Sequence, residues 1–107
     1  MADDLHVEVS ETVRAWSVVV RGEIDMHTAP QLERVLDDVI AKGALLVTLD
    51  LEAVDFLDSS GLRVILGASN KLSDQEGQLL LEGASPAVER VLEITGLIER
   101  LRQSGQS

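Results

Sequence analysis

Apolar positions along the chain change their period several times, and each change marks an element. Leu5, Val7 and Val9 alternate with His6 and Glu8, which predicts a short strand over residues 5–9. Residues 13–21 predict a longer strand around the unbroken run Val18-Val19-Val20, the pattern of a strand buried on both faces. So few residues separate the two that they form a hairpin, with the first strand as an antiparallel edge. Gly22 to His27 reads as a loop. Thr28-Ala29-Pro30-Gln31 then opens a helix, with Thr28 and Gln31 at capping-box spacing and Pro30 tolerated in the first turn. Leu32, Val35, Leu36, Val39 and Ile40 give it one apolar face, and Lys42-Gly43 ends it with a cation and a C-cap glycine.

Residues 44–51 predict a second buried strand, with Leu45, Val47, Leu49 and Leu51 on one face and Leu46 and Thr48 on the other. After the stretch Asp55-Phe56-Leu57-Asp58-Ser59-Ser60-Gly61-Leu62, a helix runs from Ser59 to Gln75. Glu76-Gly77 turns the chain into a strand over residues 78–82. Ser85-Pro86 starts the last main helix, with Val88, Val91 and Leu92 facing inward and Gly96 closing it. Leu97, Ile98 and Leu101 pack as a short final segment, and residues 103–107 form a frayed tail.

The predicted order is β-β-α-β-α-β-α, an α/β fold in which helices pack against a small mixed sheet. At 107 residues a single domain over 1–107 is expected, with an ordered core of about 5–101. Strands joined through helices run parallel with right-handed crossovers. The strands ending near Gly22 and Leu51 then release their loops at the same sheet edge, where open α/β folds place their sites. That topology brings Asp25 towards Ser59.

Composition narrows the function classes. Aromatic residues make up 2%, Trp16 and Phe56 alone, so the core is aliphatic, Trp16 is read as packing, and base stacking on aromatic platforms is excluded. A formal net charge of −10 argues against nucleic acid or an anionic membrane as partner. With no cysteine there is neither a disulfide framework nor a thiolate metal site. Met1-Ala2-Asp3-Asp4 has no signal-peptide pattern, and no apolar run reaches the length of a membrane span, so a soluble cytoplasmic protein is expected. Asp3-Asp4 and Asp37-Asp38 read as solvated acidic surface. No second histidine stands at ligand spacing from His27, so neither metal nor cofactor is expected.

The chemistry concentrates in Asp58-Ser59-Ser60-Gly61. As a hydrolase nucleophile Ser59 lacks the Gly-x-Ser-x-Gly elbow, and only His6 and His27 could serve as its base. As a phosphate-cradling loop the stretch lacks both glycine-rich fingerprints. A serine in the first turn of a helix can instead be the substrate, receiving a phosphate that the dipole and free N–H groups accommodate. The plainer reading is that Asp58 or Ser59 simply caps the helix. The two coexist if Asp58 caps and leaves the Ser59 hydroxyl free.

Asp58-Ser59-Ser60-Gly61-Leu62 followed by Val64-Ile65-Leu66-Gly67 resembles the signature of the STAS domain, and more narrowly that of the bacterial anti-sigma factor antagonists. Gly22-Glu23-Ile24-Asp25, the Thr28-Ala29 helix start and Ser85-Pro86-Ala87-Val88 match their places in that family, so the likeness runs from about residue 5 to residue 101. The resemblance implies a switch in partner binding. The unphosphorylated protein would bind an anti-sigma factor that is itself a GHKL-type serine kinase, and so free the sigma factor. Phosphorylation of Ser59 would end the binding, and a PP2C-type phosphatase would reset it. By the same carry-over Ser60 neighbours the acceptor, while Asp25 and Asp58 match acidic positions beside it.

The helix after the switch offers a surface for such a partner. Leu62, Ile65, Leu66, Ser69 and Leu72 make the expected inward stripe. Gly61, Val64, Ala68 and Lys71 form a second, mostly small stripe, and Arg63, Gly67, Asn70 and Asp74 an outer one. Partner contact is expected at Arg63, Val64, Gly67 and Ala68; alternatively, Val64 and Ala68 extend the core stripe and Gly67 permits close packing. Two other functions compete with the switch: a STAS scaffold or sensor without a phosphorylation cycle, and a weak nucleotide-binding or hydrolysing protein resting on Asp25 and the serines.

Overall fold

The computed structural model describes residues 5–95, with side chains as far as Glu93. The elements, in order, are β1 (His6–Thr12), β2 (Ala15–Ile24), α1 (Ala29–Ala41), β3 (Leu46–Leu57), α2 (Ser59–Asp74), β4 (Gln78–Ala84) and α3 (Pro86–Thr95). The predicted order β-β-α-β-α-β-α is the observed one. Gly96, the segment Leu97 to Leu101 and the acidic start Met1 to Asp4 lie outside the described residues.

One sheet of order β1-β2-β3-β4 carries the fold; β1 pairs antiparallel to β2, and β2-β3 and β3-β4 pair parallel. The β2-α1-β3 and β3-α2-β4 connections step the same way along the sheet, which by the common hand of such crossovers puts α1 and α2 on one face, and the two helices pack side by side. That face buries Trp16, Val18 and Val20 of β2, Val47, Leu49 and Leu51 of β3, and Leu79 of β4. These join Leu32, Leu36, Val39 and Ile40 of α1, Ile65, Ala68 and Leu72 of α2, and Val88 and Leu92 of α3 in a single aliphatic core. The opposite face bears Ser17, Val19, Thr48 and Leu80, each only half-buried. The run Val18-Val19-Val20 is therefore buried on one face, not two, because the helices gather on one side.

Two strands run further than the hydrophobic pattern suggests. β2 continues to Ile24 through Gly22, whose φ of +111° is open to glycine and strained for other residues. The register shifts there and at Val19/Arg21, so Gly22 marks a bulge rather than the start of a loop. β3 continues to Leu57 although its pairing with β4 ends at Leu51. Beyond that point it pairs with β2 alone, and its buried residues are Leu51, Val54 and Leu57, every third position. A twisted two-strand extension abandons the period of two. Leu45, expected in the buried stripe of this strand, precedes it and is 39% exposed.

The helix starts are tied by side chains. Ser85 accepts from Val88 N–H at 3.2 Å and donates its hydroxyl to the Val54 carbonyl at 2.5 Å, anchoring α3 to the extended part of β3. At the other end of α1, Lys42 and Gly43 stop the helix as expected, Gly43 with φ +90°. The acidic pair on α1 is not merely solvated: Asp37 meets Lys71 of α2 at 2.7 Å and Asp38 meets Lys42 at 3.1 Å. The Asp37 carboxylate raises the Lys71 pKa, but both pairs are exposed and such bridges are weak.

Candidate functional site

The site is built where β2 and β3 end together. Ile24 and Leu57 are the last paired residues of these parallel strands, and Asp58 N–H donates to the Ile24 carbonyl at 3.2 Å. Asp25 and Asp58 therefore leave the sheet side by side, at the juxtaposition the topology predicted.

Asp58 is the N-cap of α2, in extended conformation with φ −109° and ψ −171°. Its Oδ1 accepts from Ser60 N–H at 2.8 Å and Gly61 N–H at 3.3 Å, and its carbonyl accepts from Leu62 N–H at 3.1 Å. Ser59 is then the first helical residue and is exposed, and its hydroxyl has no hydrogen-bond partner among the described residues. Ser60 is half-buried beside it. Gly61 is buried for a steric reason. A Cβ there would meet Ile24 Cγ2 at 2.6 Å and the end of the Leu57 side chain. The first turn of α2 sits that close to both strand ends only because this residue has no side chain.

Asp25 is held as firmly as Asp58. Its Oδ1 accepts from His27 N–H at 2.9 Å and Thr28 N–H at 3.0 Å, and its carbonyl accepts from Ala29 N–H at 2.8 Å. Thr28, 6% exposed, answers by accepting from Asp25 N–H at 3.0 Å and donating its hydroxyl to the Glu23 carbonyl at 2.7 Å. The reciprocal box thus closes between Asp25 and Thr28, not between Thr28 and Gln31 as the spacing suggested. The Gln31 side chain instead donates to the Leu5 carbonyl at 2.8 Å. The Thr28 backbone hydrogen bond, with the His27 one, holds the Asp25 carboxyl below the usual carboxylate range.

Together these residues present an exposed hydroxyl at a helix N-terminus, flanked by two carboxylates whose orientation the backbone fixes. A hydroxyl so placed can accept a phosphoryl group without disturbing the cap beneath it. It is not aligned with a base. His6 bonds Glu8 at 3.1 Å on the edge strand, and His27 reaches the cluster through its backbone N–H. Among the described residues no group of three or more acids or histidines could hold a metal ion, and no helix is long and apolar enough to cross a membrane.

Along α2 the structure turns the helix relative to the expected stripes. Gly61, Ile65, Ala68 and Leu72 are the buried residues, while Leu62, Leu66 and Ser69 are half-buried. Ala68, expected at the partner surface, is 3% exposed and belongs to the core, because a small residue lets the helix lie close to the sheet. Val64 is half-buried against that core, Arg63 is exposed, and Gly67 has open space where a Cβ would stand. Close packing therefore does not explain Gly67. The expectations passed over Met26 and Phe56, 76% and 47% exposed at this end of the sheet. The signal available was that Phe56 is the chain's one phenylalanine.

The chain is similar to several known proteins. An anti-sigma-B factor antagonist of Staphylococcus aureus is 34% identical over 94 residues, covering 88% of this chain and 87% of its own. The crystal structure of an anti-sigma factor antagonist from Mycobacterium paratuberculosis superposes with a TM-score of 0.84 at 34% identity, covering 94% of this chain and 86% of that one. SpoIIAA, a Bacillus cell fate determinant and anti-sigma factor antagonist, has been solved in both states. Its unphosphorylated form matches with a TM-score of 0.78 at 27% identity over 88% of this chain and 84% of that one. Its phosphorylated form matches with a TM-score of 0.71 at 26% identity over 86% and 85%. The family model of the STAS domain matches residues 6–104, and the chain belongs to the STAS domain family.

Proposed function

We propose that this chain is an anti-sigma factor antagonist of the cytoplasm, switched by phosphorylation of Ser59. Unphosphorylated, it binds an anti-sigma factor that is a GHKL-type serine kinase and thereby releases the sigma factor. The kinase phosphorylates Ser59 and ends the binding; a PP2C-type phosphatase restores it. The observation that carries this reading is the division of labour at α2, where Asp58 takes the cap and Ser59 is left exposed with a free hydroxyl. The names of the relatives support it, as does the existence of SpoIIAA in a phosphorylated form.

The energetics favour a switch in binding over a switch in folding. A phosphoserine adds about −1.5 to −2 charges. At a helix N-terminus the dipole favours such a charge by about 0.3–1 kcal/mol, so the fold survives. In an interface, like charges brought face to face cost several kcal/mol, about tenfold in affinity for each 1.4 kcal/mol. A kinase site holding nucleotide phosphates and a catalytic acid is such a face. Exposed Arg63 and half-buried Val64 and Gly67, along α2 from Ser59, meet the partner in this reading.

The test is phosphate transfer. Incubation with a cognate GHKL-type kinase and ATP is expected to add one phosphate, located at Ser59 by fragmentation mass spectrometry. Ser59→Ala is expected to keep partner affinity and take up none. Phosphate incorporated equally into Ser59→Ala, or located at Ser60, overturns the assignment.

A further inference from the structure

The sheet end that carries Ser59 also carries two large apolar side chains that the core does not take in, Met26 and Phe56. In a chain with two aromatic residues, Trp16 is 5% exposed while Phe56 remains 47% exposed. The fold forgoes one of the larger burial gains open to it. The other large apolar side chains exposed among the described residues stand elsewhere: Val9 on β1, and Val13 and Leu45 at the opposite sheet end. Phe56 pairs in register with Glu23, one row before Ile24 and Leu57, and Met26 follows two residues after Ile24. Carboxylates stand beside both in the chain: Glu23 pairs with Phe56, Asp25 precedes Met26, and Asp55 and Asp58 lie at the same sheet end, with Glu23 and Asp55 exposed and Asp25 and Asp58 half-buried. Arg63 lies exposed on α2. Aromatic residues, Met and Arg are the side chains that protein interfaces favour, with charged groups kept to the rim.

We propose that Met26 and Phe56 are the apolar anchors through which this chain docks on its anti-sigma factor, in a partner pocket of apolar side chains rimmed by Lys and Arg. This rests on the function proposed above and adds that binding is centred on residues outside the Asp-Ser-Ser-Gly turn. The partner's chemistry follows from the charge: four carboxylates share this sheet end with the pair on a chain of net charge −10, and a complementary rim is basic. Ser59 follows Asp58 at the same sheet end, and in this docking it faces the nucleotide phosphates of the kinase. A phosphate added there is repelled by them in a contact that the rim otherwise favours.

The GHKL-type anti-sigma kinases of the chain's own genome, purified and loaded with nucleotide, provide the probe for calorimetric titration. Phe56→Ser and Met26→Ser are each expected to weaken binding at least about tenfold, whereas Val13→Ser, exposed at the far sheet end, stays within about twofold. Met26→Ser and Val13→Ser are expected to keep the wild-type Tm, whereas Phe56→Ser, which removes a ring 47% exposed, lowers it while leaving the chain folded at the titration temperature, as circular dichroism checks. Wild-type binding is expected to weaken as salt rises from about 0.05 to about 0.5 M, through screening of the rim. Wild-type binding with both Phe56→Ser and Met26→Ser within about twofold of it overturns this inference and leaves the proposed function standing. Self-association abolished by Phe56→Ser, with kinase binding intact, also overturns it and assigns the pair to a second copy of the chain. Failure of the wild-type chain to bind any of these kinases overturns both readings.

Discussion

An alanine placed at either glycine of α2 tests how the switch segment is held. The two substitutions are chemically identical and share a helix, but their surroundings differ. Removing an exposed glycine from a helix interior gains about 0.8–1.0 kcal/mol in helix propensity. At Gly67 nothing lies within 4 Å of the new Cβ, so that gain stands alone. At Gly61 the Cβ falls 2.6 Å from Ile24 Cγ2 and 3.3 Å from Ile24 Cβ, well inside the 3.5–4.0 Å of an ordinary carbon contact. Ile24 is fully buried and Leu57 is 3% exposed, so neither can swing into solvent. Overpacking of this kind costs about 1–3 kcal/mol. Gly67→Ala is therefore expected to raise stability by up to about 1 kcal/mol, and Gly61→Ala to lie about 1–3 kcal/mol below Gly67→Ala. Urea denaturation with a common m-value measures both, and the Tm values should separate by about 4–8 °C for each kcal/mol. Gly61→Ala as stable as Gly67→Ala would refute the close approach of α2 to the strand ends, and with it the placement of Ser59 beside Asp25.

The remaining predictions concern the caps. Asp58→Ala removes the acceptor for Ser60 and Gly61 N–H and is expected to cost about 1 kcal/mol; Asp58→Asn, which keeps an oxygen in place, should cost only a few tenths, and equal losses in thermal melts would contradict the cap. Thr28→Val leaves the Glu23 carbonyl and Asp25 N–H without their side-chain partner and is expected to cost about 1–3 kcal/mol. The Asp25 carboxyl, held low by hydrogen bonds in the folded state, adds stability at pH values above its unfolded pKa, and that part is lost as pH falls through the folded value. Carbon-detected NMR titration should find Asp25 below the ordinary carboxylate range, and Asp25→Ala should flatten the acid side of the stability profile; an unshifted Asp25 would contradict the reciprocal box.

Much of this was legible before the structure, and the failures share a physical cause. The α1 stripe of Leu32, Leu36, Val39 and Ile40 was readable because bulky residues announce a buried face. On α2 the same cue misleads: Leu62 and Leu66 draw attention, while the residues facing inward include Gly61 and Ala68, chosen for closeness rather than bulk. The extension of β3 from Glu52 to Leu57 escaped because its burial follows every third residue once β4 is left behind. Thr28 stands at the N-cap as its spacing suggested, but its hydroxyl turns back to the Glu23 carbonyl instead of capping the helix, a loop bond that the capping-box pattern does not encode. Asp58 was readable because a cap is local, and its meeting with Asp25 because parallel strands release their loops at one edge.

The central claim is that a phosphate on Ser59 breaks partner binding while the fold stays intact. Its most direct test is the affinity of the anti-sigma kinase for the chain carrying phosphoserine installed at position 59, against the unmodified chain, with both melts recorded. A Tm within a few degrees and an affinity lower by about a hundredfold or more, from a few kcal/mol of like-charge repulsion, is the predicted result. Equal affinity for the two forms, or a phosphorylated chain that no longer folds, would contradict it.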